Sequence, residues 1–251
     1  MNTEELLEYL KYNGAERAGA AAGLSWLTEE SSMQQGIVVL LRLPVRIAGY
    51  LRSGPYGQYT AACARMDHNL AEILLAGMEK LRNEGYRAEG LMAMLPEEGE
   101  YPGIRKADRF RIDRAGAAAG LGWIGRNGRL LVRDFGPCVR SAVILTDMPV
   151  TSSEPETESH CGACRVCVGN CPAEALTGKV WMPGTEERVL IDRAKCEEFI
   201  SAPGLRSGEP VAAPRDFKGI RTDSFLRSGV CEKCVGICTY AQKYMRNAKW
   251  Y

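Results

Sequence analysis

Histidine is nearly missing from this chain, with two in 251 residues, and no Ser/His/Asp set, HExxH pair or P-loop is present. That argues against triad hydrolysis, zincin-type chemistry and Walker-type phosphate binding. Charge imbalance is missing too. Lys plus Arg number 32 against 31 Asp plus Glu, a net charge of +1, so no whole-chain basic excess marks a nucleic acid as a polyelectrolyte partner. Long apolar runs are absent. The longest, Ile37 to Leu41, stops at Arg42, far short of the roughly 20 residues a membrane helix needs. The start, MNTEELLEYLKYNG, has neither the basic nor the apolar region of a signal peptide, so a cytoplasmic chain with no membrane partner is expected. No repeat occurs at solenoid periods.

What is present is ordinary globular composition, 45% hydrophobic and 25% charged, in a length that suits one large domain or two modest ones. Cysteine is the unusual residue. Of ten, only Cys63 and Cys138 precede the last 91 residues, which hold the other eight. In a chain expected to be cytosolic, thiols stay reduced, so these cysteines are read as ligands rather than bridges. The asymmetry predicts a boundary near residue 150, with an α/β layer domain over 1–150 and a cysteine-rich domain over 151–251.

The first domain is expected to open with a helix capped by Thr3, with Glu4 and Glu5 in its first turn, Leu6, Leu7 and Leu10 on one face and Gly14 as stop. GIVVLLRLPV (36–45) reads as a strand and 60–83 as a long helix ended by Gly85. GLMAMLP (90–96), RLLV (129–132) and VRSAVILTDMP (139–149) are further strands, and TSSEPETE (151–158) is a linker or surface loop.

CGACRVCVGNCP spells C-x2-C-x2-C-x3-C-P from Cys161 to Pro172, a bacterial ferredoxin run. Three closely spaced thiolates grip one [4Fe–4S] cube, and the fourth, followed by a proline expected to start a helix, reaches a second cube. A second set is therefore expected, and Cys196 with Cys231-x2-Cys234-x3-Cys238 supplies it. The crossover rule assigns Cys161, Cys164, Cys167 and Cys238 to one cluster and Cys171, Cys196, Cys231 and Cys234 to the other. Zinc is the alternative, since eight thiolates could hold two ions, but a third cysteine at x2 and the C-P step favour iron–sulfur. Cys63 reads as a small buried hydrophobe and Cys138 as a turn residue with no base beside it. His68 reads as a surface or packing residue, while His160 could tune the neighbouring cluster through a hydrogen bond.

AGAAAGLGWIGRNGRLLV (115–132) contains G-x-G-x-x-G at Gly120, Gly122 and Gly125, but a helix precedes it and a strand follows, the reverse of a dinucleotide fingerprint. Close approach to a large planar cofactor, with Trp123 as a flat wall, is one reading; tight helix–sheet packing is the other. From Arg105 to Arg133 eight basic residues face Asp108 and Asp113, a stretch that is either a solvated face or a binder of phosphate or an anionic substrate.

In order, AGLGWIGRNGRLLV, GPCVRSAVILTDMPV, CGACRVCVGNCP, IDRAKCEEFI and CEKCVGIC resemble the epoxyqueuosine reductase family, over about residues 105 to 245, with YTAACARMDHNLAEILLAGMEKLRNEGY upstream. The related reductive dehalogenases share the pattern. The resemblance implies an α+β fold: a nitroreductase-like, cobalamin-type N-terminal domain followed by a double [4Fe–4S] ferredoxin-like module that feeds it electrons. It further implies that Gly120, Gly122, Trp123 and Gly125 border a corrinoid. The family's proton-donating Asp lies upstream of AGLGW; counting back meets Lys106, and Asp108, the nearest acid, becomes the candidate catalytic proton donor. GPCVR stands where the family has a GSW-type segment. The chain ends at Tyr251 without the family's helical-repeat extension, so a tRNA partner is not carried over.

The expected function is an oxidoreductase in which two clusters pass electrons to a corrinoid (cobalamin) site for a reductive reaction. It would take an electron donor such as ferredoxin or flavodoxin and a small-molecule or modified-base substrate. The alternatives are an electron-transfer or corrinoid-reactivating partner without its own substrate, and a zinc-stabilised binding module.

Overall fold

Helix α1 (Thr3–Tyr12) is capped by Asn2, not Thr3: Asn2 Oδ1 accepts from the Glu5 amide at 2.9 Å while the Glu5 carboxylate accepts from the Asn2 amide at 3.0 Å. The reciprocal box satisfies two donors at once. The Thr3 hydroxyl accepts from the Thr151 amide instead, at 2.9 Å. The computed structural model describes residues 1–53, 56–96, 99–201 and 231–247; the rest of the expected second domain, 202–230 and 248–251, lies outside the described residues.

After α1 come β1 (Arg17–Ala21), β2 (Gln35–Arg42), α2 (Val45–Ser53), α3 (Tyr56–Asn83), β3 (Ala88–Met92), β4 (Ile104–Lys106) and α4 (Arg109–Ala118). Then follow β5 (Trp123–Ile124), β6 (Leu130–Leu131), β7 (Val139–Thr146), α5 (Val166–Gly169), α6 (Glu187–Leu190), α7 (Arg193–Ser201), α8 (Lys233–Gly236) and α9 (Thr239–Asn247). They group into two compact units that interleave along the chain. The first is Met1–Arg42, Ala64–Trp123 and Val139–Thr157; the second is Leu43–Cys63, Ile124–Cys138 and Glu158–Tyr251. Among the described residues no helix is long and apolar enough to cross a membrane.

The first unit is an α/β layer structure. Its five strands run in the order β1-β2-β7-β3-β4, all antiparallel except the parallel β3/β4 pair. The strand period of two sends Ile37, Val39 and Ile144 to one face, where Leu6 and Leu10 of α1 and Leu70, Leu74, Met78 and Leu81 of α3 cover them. Val38, Val143 and Leu145 point to the other face, under Ile112 and Ala115 of α4. TSSEPETE is no free linker: the Ser153 amide donates to Ala20 O at 2.9 Å, and the Ser153 and Ser152 hydroxyls accept from the amides of Ala20 and Ala22, each at 3.1 Å. The segment is laced along β1.

RLLV does not join this sheet. It contributes β6 to a separate two-stranded pair with β5. Between them lies Asn127–Gly128, a hairpin dipeptide, with Gly128 at φ +66°, so the run pairs locally.

In the second unit, the Leu43 amide donates to Cys138 O at 2.8 Å and the Tyr244 hydroxyl donates to Leu43 O at 2.7 Å. Phe135 meets Tyr244 edge-on, with ring centroids 5.6 Å apart. Gly136, at φ +58°, sits where a Cβ would come within 2.6 Å of the Ala241 amide nitrogen, so the chain passes α9 at backbone distance.

Candidate metal centre

The CGACRVC run folds as one tight turn, held by a Cys164 N to Cys161 O bond of 2.9 Å, and leads into the four-residue helix α5. No helix follows Cys171. A turn does, with Glu174 N bonded to Cys171 O at 3.1 Å and Glu174 at φ +48°, a conformation that stops a helix despite Pro172. The roles are reversed in the later run, where Thr239 follows Cys238 and opens the nine-residue helix α9.

These loops bring Cys161, Cys164, Cys167 and Cys238 to the wall of one small, partly open cavity, which Arg126, Asn127 and Tyr240 also line. Burial pushes the Cys167 thiol up to about 11, with the charges of Cys238, Cys161 and Cys164 adding to it. The same cause holds Cys238 at about 11, opposed by the backbone amides of Ala241 and Tyr240 and reinforced by Cys161 and Cys164. The second set responds to its own members. Burial raises Cys196, with Arg193 opposing and Cys171 adding; it raises Cys231 to about 11, with Cys196 and Cys171 contributing. Cys234 is raised by burial, then by Glu232 and Cys231, and it also feels Cys167.

Four half-buried or buried thiols facing one space cannot all ionise unless a multivalent cation joins them. Soft thiolates suit iron–sulfur clusters and zinc. Among the described residues no three His, Cys, Asp or Glu side chains close on a single metal ion. The thiols of the first set line one cavity, and their softness suits an iron–sulfur cluster or zinc.

Sequence reasoning missed the buried polar frame of this site. Arg126, 8% exposed, donates through Nη2 to Gly162 O at 2.7 Å and through Nη1 to Gly178 O. Asn127 Nδ2 donates to Cys234 O at 3.3 Å, Arg129 pairs with Glu232 at 3.2 Å, and the Tyr240 hydroxyl donates to His160 O at 3.2 Å. The available signal was the position of Arg126 within GWIGRNG.

Elsewhere the basic stretch is mostly engaged. Arg105 pairs with Glu30 and Glu89, Arg111 donates to Trp26 O at 3.1 Å, and Arg114 lies over the Trp26 ring at 4.3 Å. Asp108 is exposed and caps α4, accepting from the Arg111 amide at 2.9 Å. His68 is exposed and its Nδ1 lies 2.6 Å from the Tyr101 hydroxyl. Cys63 and Cys138 are buried, and burial raises the Cys138 thiol far above its ordinary value.

The glycine loop does not offer an open wall. Trp123 is 1% exposed. A Cβ on Gly120, at φ +70°, would meet Glu154 O at 2.3 Å, and one on Gly125 would meet Leu131 at 2.7 Å. Gly122 and Gly125 are buried, whereas Gly120 is exposed.

No protein-family model matches the chain. Over 154 residues it is 30% identical to the epoxyqueuosine reductase of Cyclobacterium marinum, an alignment covering 61% of this chain and 44% of the relative. The chain is similar in sequence to epoxyqueuosine reductases. It is also 28% identical over 195 residues to the tetrachloroethene reductive dehalogenase of Desulfitobacterium hafniense, covering 76% of this chain and 30% of that one. The chain spans less than half the length of these curated relatives. In structure it resembles an epoxyqueuosine reductase solved with an epoxyqueuosine-modified tRNA-Tyr stem loop, at TM-score 0.56 and 17% identity, over 95% of this chain and 65% of the other. A reductive dehalogenase discussed for B12-dependent dehalogenation matches at TM-score 0.60 and 18% identity, over 99% of this chain and 38% of the other. The epoxyqueuosine reductases and reductive dehalogenases thus share this fold.

Proposed function

We propose that the chain is an epoxyqueuosine-reductase-like oxidoreductase whose second unit acts as a double [4Fe–4S] module. Cys161, Cys164, Cys167 and Cys238 would hold one cluster, and Cys171, Cys196, Cys231 and Cys234 the other. The observation that carries the reading is the shared cavity of the first four thiols, which lie as far apart in sequence as Cys161 and Cys238. The clusters would supply single electrons at low potential. The chain's own residues hold the thiols: Arg126 ties the loop of Gly162 to Gly178, Asn127 holds the Cys234 carbonyl, and the Tyr240 and Ala241 amides face Cys238.

The sequence likeness to reductases favours a reductive enzyme over a carrier without its own substrate. A corrinoid acceptor in the 1–150 region is consistent with the relatives, with the exposed Gly120 as its candidate border and Trp123 buried behind the loop. Asp108 is retained as a proton-donor candidate only because it is exposed, since its carboxylate already caps α4. A modified base is consistent with the relatives' names; the donor, such as ferredoxin or flavodoxin, and a cytoplasmic setting belong to the same proposal.

The test is metal content of protein reconstituted without oxygen, supplied with cobalamin and desalted. About eight irons per chain support two cubanes, and retained cobalt adds the corrinoid. About two zincs and no iron would overturn the redox reading.

A further inference from the structure

A buried cation should stand beside an anion. Arg126 is 8% exposed, its Nη1 and Nη2 are spent on the neutral carbonyls of Gly178 and Gly162, and its Nε is buried with no hydrogen-bond partner. Among the described residues, no ion pair joins this guanidinium to a carboxylate, whereas Arg129, three residues on, pairs with Glu232 at 3.2 Å. Leaving a permanent charge out of water without a counter-charge is costly. Yet Arg126 lines the same cavity as Cys161, Cys164, Cys167 and Cys238. Four thiolates around that space would supply the missing negative charge, and a cluster held by them stays net negative.

We propose that Arg126 is a positioning residue that sets the reduction potential of the cluster held by Cys161, Cys164, Cys167 and Cys238. This rests on the iron–sulfur reading above. The guanidinium acts in two ways. Its two carbonyl contacts fix the loop that carries Cys161 and Cys164 relative to residue 178. Its charge lies in a medium of low effective dielectric, where it favours the form of the cluster with one more electron. Removing the charge should make that electron harder to add, while the second cluster, on its separate thiols, serves as an internal reference.

The experiment is a potentiometric titration followed by electron paramagnetic resonance, with iron counted on the same samples. It compares wild type with Arg126→Gln, which is neutral and keeps a single amide donor, and with Arg126→Lys, which keeps the charge on a single ammonium. In Arg126→Gln one of the two signals should shift to lower potential by a tenfold change in its oxidised-to-reduced ratio, which is 59 mV for one electron. Arg126→Lys should stay within a third of that shift, and the other signal should not move. Unchanged potentials in Arg126→Gln, equal shifts in both variants, or loss of about four irons from both would each overturn the proposal, the last by making the role purely structural. A wild-type protein without iron would instead sink the underlying cluster reading.

Discussion

The two units solve the stability problem differently. The first buries long aliphatic side chains on both faces of a sheet: Leu6, Leu10, Ile37, Leu40, Leu70, Leu74, Met78 and Leu81 are each 1% exposed or less. In the second, α5 and α7 bury no residue at all, and the cysteine loops are held by carbonyl bonds from Arg126, Asn127 and Tyr240. The second unit does bury Leu130, Leu131, Val132, Trp181, Leu190 and Ile191, so on the proposed reading it is the cysteine loops, not the whole unit, that would gain order from what they bind. On that reading, one chain contains a region that folds by exclusion of water beside loops that would be ordered by a bound cluster.

The largest expected effect separates them directly. Iron removal should speed amide exchange across 158–201 and 231–247 by about 100-fold while β2 and β7 remain protected. Equal loss in both units, read by hydrogen-exchange mass spectrometry, would break the comparison. Next, Leu74→Ala should destabilise the first unit by about 3 kcal/mol in urea unfolding, since the side chain is fully buried beneath the sheet. Iron content should stay at the wild-type value; parallel iron loss would show that the sheet underwrites the cysteine unit. Asn2→Ala should cost about 1 kcal/mol through the lost capping box, again without changing the iron count.

The smallest effect concerns surface charge. The Arg87 side chain, bonded to Asp147 at 2.8 Å, holds that carboxyl below its ordinary value, and the Arg87 amide adds to this. A depressed folded pKa stabilises above the unfolded pKa, and that contribution is lost as pH falls through the folded value. The stability gap between wild type and Arg87→Gln should therefore be small at neutral pH and close in acid. A gap that widened in acid would refute the assignment.

The sequence made the strongly patterned elements legible. GIVVLLR and VRSAVILT are β-branched, apolar and bounded by turn residues, and they became the central strands β2 and β7; the long helix was expected over most of its span. β1 was not legible, because RAGAA has neither β-branched nor aromatic residues and is a strand through pairing with β2. The Thr3 cap was misplaced by one residue because Asn2 and Thr3 are both good caps, and only the reciprocal bond to Glu5 selects between them. Within the candidate site, the grouping of Cys161, Cys164 and Cys167 follows from spacing alone. The burial of Arg126 does not, since it depends on carbonyls at 162 and 178 that no local pattern announces.

The lacing of residues 152 and 153 along β1 bears on how the chain survives before it is complete. A sheet ends in rows of unpaired amides and carbonyls that can recruit a strand from another molecule. Here one border carries Ser152 and Ser153 on its polar groups, and the other strand, β4, is three residues long. A newly made chain would thus present neighbours with a finished sheet that has little left to share.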